Sequence, residues 1–344
     1  MSAAPPSYEA QSRRAMRAAL GVTAAMMFTQ ISPYPLALVA PAITVLLLQD
    51  AKPMPLGKGL VTLGATLLGV IAGFTVSLAL LQYPAVMVLT LSVMLFLIYR
   101  YVMTTGEHFV IVVGLLIGTT LVPVLMRILP ELAYLSVLSI LFSIVLAFAV
   151  AALSFSLMPP PTDVPPKHGE PVDRGTANAY AITITLVVGT MLAYFLSFGK
   201  TDVLVLVYTA LFSLSVSSAG SVHMSMEYLK GNILYAALAT LIVFNLLSVA
   251  PFLPLMVFVF FLAMYIFAMN FFSHKPTAGA WSSGTFGFVI LLSGLLASDK
   301  VVAADMVIDR VSQMAIAAIY VAFAFAVLEY VRAWRAARRG CLAP

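Results

Sequence analysis

The sequence predicts an all-α polytopic membrane protein of about twelve transmembrane helices. They form two parallel six-helix repeats, with both termini cytoplasmic. Composition is the first observation: 62% of the 344 residues are hydrophobic and 9% are charged, and the mean hydropathy is +1.06. Soluble chains carry about 25% charged residues, and a soluble protein of this size has too little interior to hide so much apolar surface. The second observation is that Lys and Arg fall almost entirely in every second gap between apolar stretches, as expected where cytoplasmic loops retain the positive charge. The third is one long polar, Pro-rich segment, Met158–Arg174 (MPPPTDVPPKHGEPVDR), which divides the apolar stretches into two sets of six.

By apolar length, the first six helices fall near Ala15–Ser32, Tyr34–Gln49, Gly59–Leu81, Ala85–Tyr101, Phe109–Met126 and Leu132–Leu157. The second six fall near Thr176–Ser197, Asp202–Val222, Gly231–Val249, Phe252–Phe272, Gly284–Ala297 and Ile308–Val331. Several are shorter than the roughly 20 residues of a full span. Pro33 and Pro35 leave only a tight turn between the first two. The chain then reads as a first membrane half (1–157), a cytoplasmic linker (158–174), a second membrane half (175–333) and a basic cytoplasmic tail (334–344).

With both termini inside, the inner segments hold 14 of the 18 basic residues. The outer ones hold Arg127, Lys200, Lys300 and Arg310. The net charge of +5 therefore expresses orientation and contact with anionic lipid, not nucleic-acid binding. Arg332 to Arg339 follow the last span, where each basic residue near the surface contributes about 1 kcal/mol of attraction. The arginines at 13, 14 and 17 before a short apolar run imitate a signal peptide, but no small-x-small cleavage site follows, so the run is expected to stay.

The halves echo one another. Each opens on cationic residues, each has a Lys-Gly pair starting its third helix (Lys58-Gly59, Lys230-Gly231), and each has an Arg near the outer end of its sixth, Arg127 before that helix and Arg310 at its start. Six is even, so the halves enter from the same side and the repeat is parallel. Parallel repeats are a transporter device, with the substrate site between the halves.

The stretches RRAMRAALGVTAAMMF and LGKGLVTLGATLLGVIAG, with the short Pro-bounded helix between them, resemble the fusaric acid resistance/aromatic acid exporter (FUSC-like) superfamily. So does Asp309-Arg310 opening the last helix. Larger members carry a sizeable cytoplasmic domain, whereas the linker here has about 17 residues; the chain looks like a compact, uncharacterised branch. The resemblance implies a bacterial inner-membrane efflux component that exports aromatic or other organic acids and works with a periplasmic adaptor protein.

Candidate residues for the substrate path or proton coupling are Pro41, Ser217, His223, Glu227, Asp309 and Arg310. Pro41 removes a backbone donor in the middle of the second helix, and the freed carbonyl needs a partner or a water-lined cavity. Ser213, Ser217 and Ser221 share a helix face leading toward His223 and Glu227, which are four apart and spaced to share a proton; serines also bond quietly to their own helix. Asp305 and Asp309 share a face at the start of the last helix, where neighbouring carboxylates raise each other's pKa. An outward Arg310 is suited to a bidentate hold on a carboxylate. The structural alternative is a simple bend at Pro41 and an ordinary boundary charge or a packed hydroxyl at the others. Ala65, Gly69, Gly73 and Ser77, four apart on the third helix, read as a close-packing face, within the chain or between copies in a homo-oligomer.

No Walker motif, no His-Glu-x-x-His and no Cys/His cluster occurs, and the lone cysteine is Cys341. The chain is therefore expected to be no enzyme and to need no cofactor or metal. The loop Asp50–Lys58 lacks the Gly-x-x-x-Asp-Arg pattern of major facilitator carriers. The competing expectation is a non-transporting membrane scaffold for an envelope complex.

Overall fold

The computed structural model describes residues 8–31, 39–50, 52–105, 114–128, 130–160, 173–200, 205–210, 212–213, 227, 230–249, 252–296 and 303–340. Among them the only regular structure is helix. In chain order the helices are α1 (Tyr8–Ile31), α2 (Val39–Gln49), α3 (Leu56–Leu80), α4 (Pro84–Thr105), α5 (Gly114–Ile128) and α6 (Pro130–Leu157). They continue with α7 (Arg174–Phe198), α8 (205–210), α9 (Gly231–Val249), α10 (Leu253–Phe271), α11 (Ala278–Leu296) and α12 (Ala303–Gly340).

Six of these are long and apolar enough to cross a membrane: α3, α4, α6, α7, α10 and α12. The described parts of α2, α5, α9 and α11 are shorter apolar helices. Leu60 and Leu68 of α3, Leu89 and Leu97 of α4, Phe258 and Ile266 of α10, and Ile319 and Phe323 of α12 all point outward. Large apolar side chains on so many outer faces fit contact with hydrocarbon rather than water.

Local sequence explains the ends. Tyr83 N–H donates to Leu80 O at 2.8 Å, and Pro84 opens α4, a position where its missing N–H costs nothing. Asp173 caps α7 by accepting from the backbone N–H groups of Gly175 and Thr176, both at 3.0 Å. Gly199 closes that helix with φ +58°, the left-handed conformation that glycine supplies. α12 runs past the expected end at Val331 to Gly340, so the basic tail continues the last helix. Its Ala and Arg residues are good helix formers.

The packing is reciprocal. α1 lies against α10, and α4 lies against α7; α3 packs on α5, and α9 packs on α11. Single bonds tie the later helices together and to the earlier ones: the Tyr99 hydroxyl donates to Ala210 O at 3.5 Å, the Tyr320 hydroxyl to Val187 O at 2.9 Å, and the Ser293 hydroxyl to the Met26 sulfur at 3.2 Å.

Glycine makes two of these crossings. A Cβ on Gly73 would strike the carbonyl of Gly118, and one on Gly118 would strike the backbone of Gly69 and Val70. Gly69 and Gly73 thus serve packing within the chain, against α5. On the other pair, a Cβ on Gly231 would meet Ala280 O and the Ser283 hydroxyl, and one on Gly284 would meet Gly231 O. Both crossings contain a wider π-helical turn, Ile117–Leu121 in α5 and Gly231–Ala236 in α9. The first immediately precedes Val122 and the buried Pro123, a residue with no N–H for the regular ladder.

Candidate functional site

One end of the bundle gathers the starts of α1 and the ends of α2, α6 and α10. The first turns of α1 are bound to α10: Gln11 Nε2 donates to Met269 O at 2.6 Å, and the Ser12 and Tyr265 hydroxyls are 3.0 Å apart. These bonds fix the rotation of α1. Arg13 then faces outward, paired with Glu9 at 2.9 Å, while Arg14 and Arg17, three apart and so on neighbouring faces, turn into the bundle.

Arg14 Nη2 donates to Gln49 O at the end of α2, at 3.3 Å. Its guanidinium carbon stands 4.3 Å from the ring centre of Phe272 at the end of α10. Asp50, next along the chain from α2, is the carboxylate whose charge acts on it. Arg17 lies one turn deeper and is 2% exposed. Its Nη1 donates to Met158 O at 3.4 Å, and its guanidinium carbon sits 4.1 Å from the ring centre of Phe155 on α6. Nε and Nη2 of Arg17, and Nε of Arg14, are buried with no hydrogen-bond partner among the described residues. A charged group enclosed by protein in an apolar bundle is costly unless paired, and inside a membrane such a residue marks function by default.

A second feature at these helix ends is a run of rings. Tyr235 of α9 stacks on Trp281 of α11 with centroids 4.4 Å apart. Trp281 meets Phe267 of α10 edge-on at 5.2 Å, and Phe267 stacks on Phe288 of α11 at 5.1 Å. Trp281 therefore packs against rings from two other helices, more than a lone interfacial anchor would.

Residues 14–154 match the model of a family described as protein of unknown function (DUF2955). The match runs from Arg14 through nearly all of α6, so it takes in both arginines and stops just short of Phe155. No curated protein and no solved structure matches the chain.

The structure distributes the sequence-derived candidates unevenly. Pro41 is buried in α2, eight residues before Gln49 and so about 12 Å farther along the axis from the arginine pair. Glu227 is ion-paired to Lys230 at 3.3 Å, three residues on. Ser217 and His223 lie outside the described residues, as do Ser221 and the proposed proton link from His223. Asp309 is exposed on α12, and the side chains of Asp305 and Arg310 are outside those described. Ser213 is buried, with no partner for its hydroxyl among the described residues.

Sequence reasoning read Arg14 and Arg17 as topology signals and as part of the stretch that carries the family resemblance, not as site residues. A signal for more was present: only apolar residues and glycine follow Arg17 up to Thr23, and Arg17 is the last charged residue before Asp50.

Proposed function

We propose that this chain is a secondary exporter of aromatic or related organic acids in a bacterial inner membrane, a compact relative of the fusaric acid resistance superfamily. Twelve spans form two parallel six-helix repeats with both termini cytoplasmic, and a periplasmic adaptor receives the cargo. The observation that carries this reading is the reciprocal packing, in which the first helix of each set of six lies on the fourth of the other. A two-fold relation along the membrane normal produces that exchange, and parallel-repeat carriers place their substrate site between halves so related. The two glycine crossings fit as well, since each joins the third and fifth helices of its own set.

Pro41, Ser217, His223, Glu227, Asp309 and Arg310 are the proposed path and coupling residues. Proton coupling accords with the absence of a nucleotide-binding motif in the sequence.

The test is export of a panel of aromatic acids from cells expressing the chain, with and without a candidate adaptor, before and after collapse of the proton gradient. Gradient-dependent export of one acid, lost in His223→Ala or Asp309→Asn at normal protein levels, is the expected result. Unchanged export in both variants removes the coupling scheme. No export of any acid by correctly inserted protein removes the carrier reading and favours the scaffold.

A further inference from the structure

We infer that Arg17, with Arg14, forms an oxyanion site at the end of the bundle where α1, α2, α6 and α10 meet, and that its occupant is the carboxylate of the cargo. The site itself rests on the geometry of these helix ends; the identity of its occupant rests on the carrier reading above.

Arginines near a membrane surface ordinarily snorkel, with the stem in apolar surroundings and the head in water. Arg17 does not, because the residue is only 2% exposed. A guanidinium carries five N–H donors and no acceptor. One of its nitrogens reaches a backbone carbonyl, at 3.4 Å, and the other two have no partner among the described residues. The Phe155 ring at 4.1 Å stabilises the cation from one face but accepts none of the in-plane donors. Arg14, one turn away, brings a second positive charge and an unpartnered Nε.

Two cations and three unused donor nitrogens therefore converge on one small region, and the carboxylate beside them, Asp50, acts on Arg14. A carboxylate or phosphate satisfies the fork of Arg17 bidentately and neutralises it in the same step. In the present arrangement the site is closed, so an anion reaches it only when the ends of α1 and α6 part. Parting of helix ends at one face is the motion that alternating access demands.

The experiment uses the purified full chain in detergent supplemented with phosphatidylcholine. Its thermal unfolding midpoint is measured in chloride buffer and against rising benzoate, inorganic phosphate or phosphatidylglycerol. Wild type is compared with Arg17→Met, Arg17→Lys and the outward-facing control Arg13→Gln. Benzoate is expected to raise the midpoint of wild type and of the control alike. Its apparent affinity is expected to fall at least about ten-fold in both Arg17 variants, since Lys keeps the charge and loses the fork.

Stabilisation by phosphatidylglycerol alone, still dependent on Arg17, keeps the oxyanion site and overturns its assignment to cargo. No response of wild type to any probe overturns the site, and so does an equal response in the Arg17 variants. If Arg17→Met fails to fold, Arg17→Lys decides. Benzoate binding without export in cells overturns the carrier reading and leaves the site standing.

Discussion

The guanidinium carbon of Arg17 lies 4.1 Å from the ring centre of Phe155, joining the third turn of α1 to the last turn of α6. Phe155 is buried, so the contact is shielded from solvent and belongs among the stronger cation–π pairs, worth about 2 kcal/mol when desolvated. The pair also closes the first six helices on themselves.

Phe155→Leu keeps an apolar side chain there and removes the ring face. Unfolding in detergent should show a loss of about 1–2 kcal/mol beyond the change in packing. In an Arg17→Met background the same substitution should cost clearly less. Equal costs in the two backgrounds would mean that ring and cation do not interact.

Gly73→Ala and Gly64→Ala should move stability in opposite directions. A methyl on Gly73 meets the Gly118 carbonyl, a backbone atom that cannot swing aside, so α3 and α5 must separate at a cost of about 1–3 kcal/mol. A methyl on Gly64 meets nothing within 4 Å and should add about 0.5–1 kcal/mol by restricting the unfolded chain. Unfolding midpoints of the two variants, measured side by side, check the crossing.

Gly199→Ala places a Cβ on a residue with φ +58°. The space around it is open, so the cost is conformational alone, about 1–2 kcal/mol. It should appear as faster amide exchange in the last turn of α7, with α3 and α5 unaffected.

Asp173 accepts hydrogen bonds from Thr176 and Gly175, the Thr176 contribution being the larger, and these hold its carboxyl below the ordinary carboxylate range. A depressed folded pKa means the cap's stabilisation is complete above the unfolded value of about 4, and is lost as pH falls below that through the folded value. Amide protection in the first turn of α7, corrected for the intrinsic pH dependence of exchange, should therefore fall as pH drops below about 4. Asp173→Asn, which caps without titrating, should flatten that dependence. A wild-type profile identical to the Asn variant's would show that the carboxylate is not the cap.

Glu227 and Lys230 form a partly exposed pair at 3.3 Å, and such pairs contribute at most about 1 kcal/mol. Glu227→Gln should therefore leave the unfolding midpoint nearly unchanged. A loss of export in that variant would be a loss of function and not of fold, which makes it the cleanest of the path substitutions to assay in cells.

The helical, membrane-like character and the position of most elements were legible in the chain, since hydropathy and Pro/Gly punctuation act within a few residues. Element ends shifted where local strength was misjudged: α11 starts at Ala278, not Gly284, and α12 extends to Gly340. Lys-Gly at 58–59 and at 230–231 looked equivalent, yet only Gly231 is gripped by a neighbouring backbone; Gly59 meets the Phe148 ring instead. The difference lies in the partner helix, which no spacing along one segment records.

What the sequence alone determined is the solvent each segment prefers, because burial of apolar side chains and exclusion of charge from hydrocarbon are properties of composition over a single helix length. What only the tertiary structure decided is which helices meet and what they enclose. Arg17 reads as one more inside-facing charge until α6 brings Phe155 and Met158, the latter 141 positions away, around it. Whether an arginine reaches water or is sealed from it depends on neighbours far along the chain, and the same side chain then changes from a topology signal to a buried, incompletely paired cation.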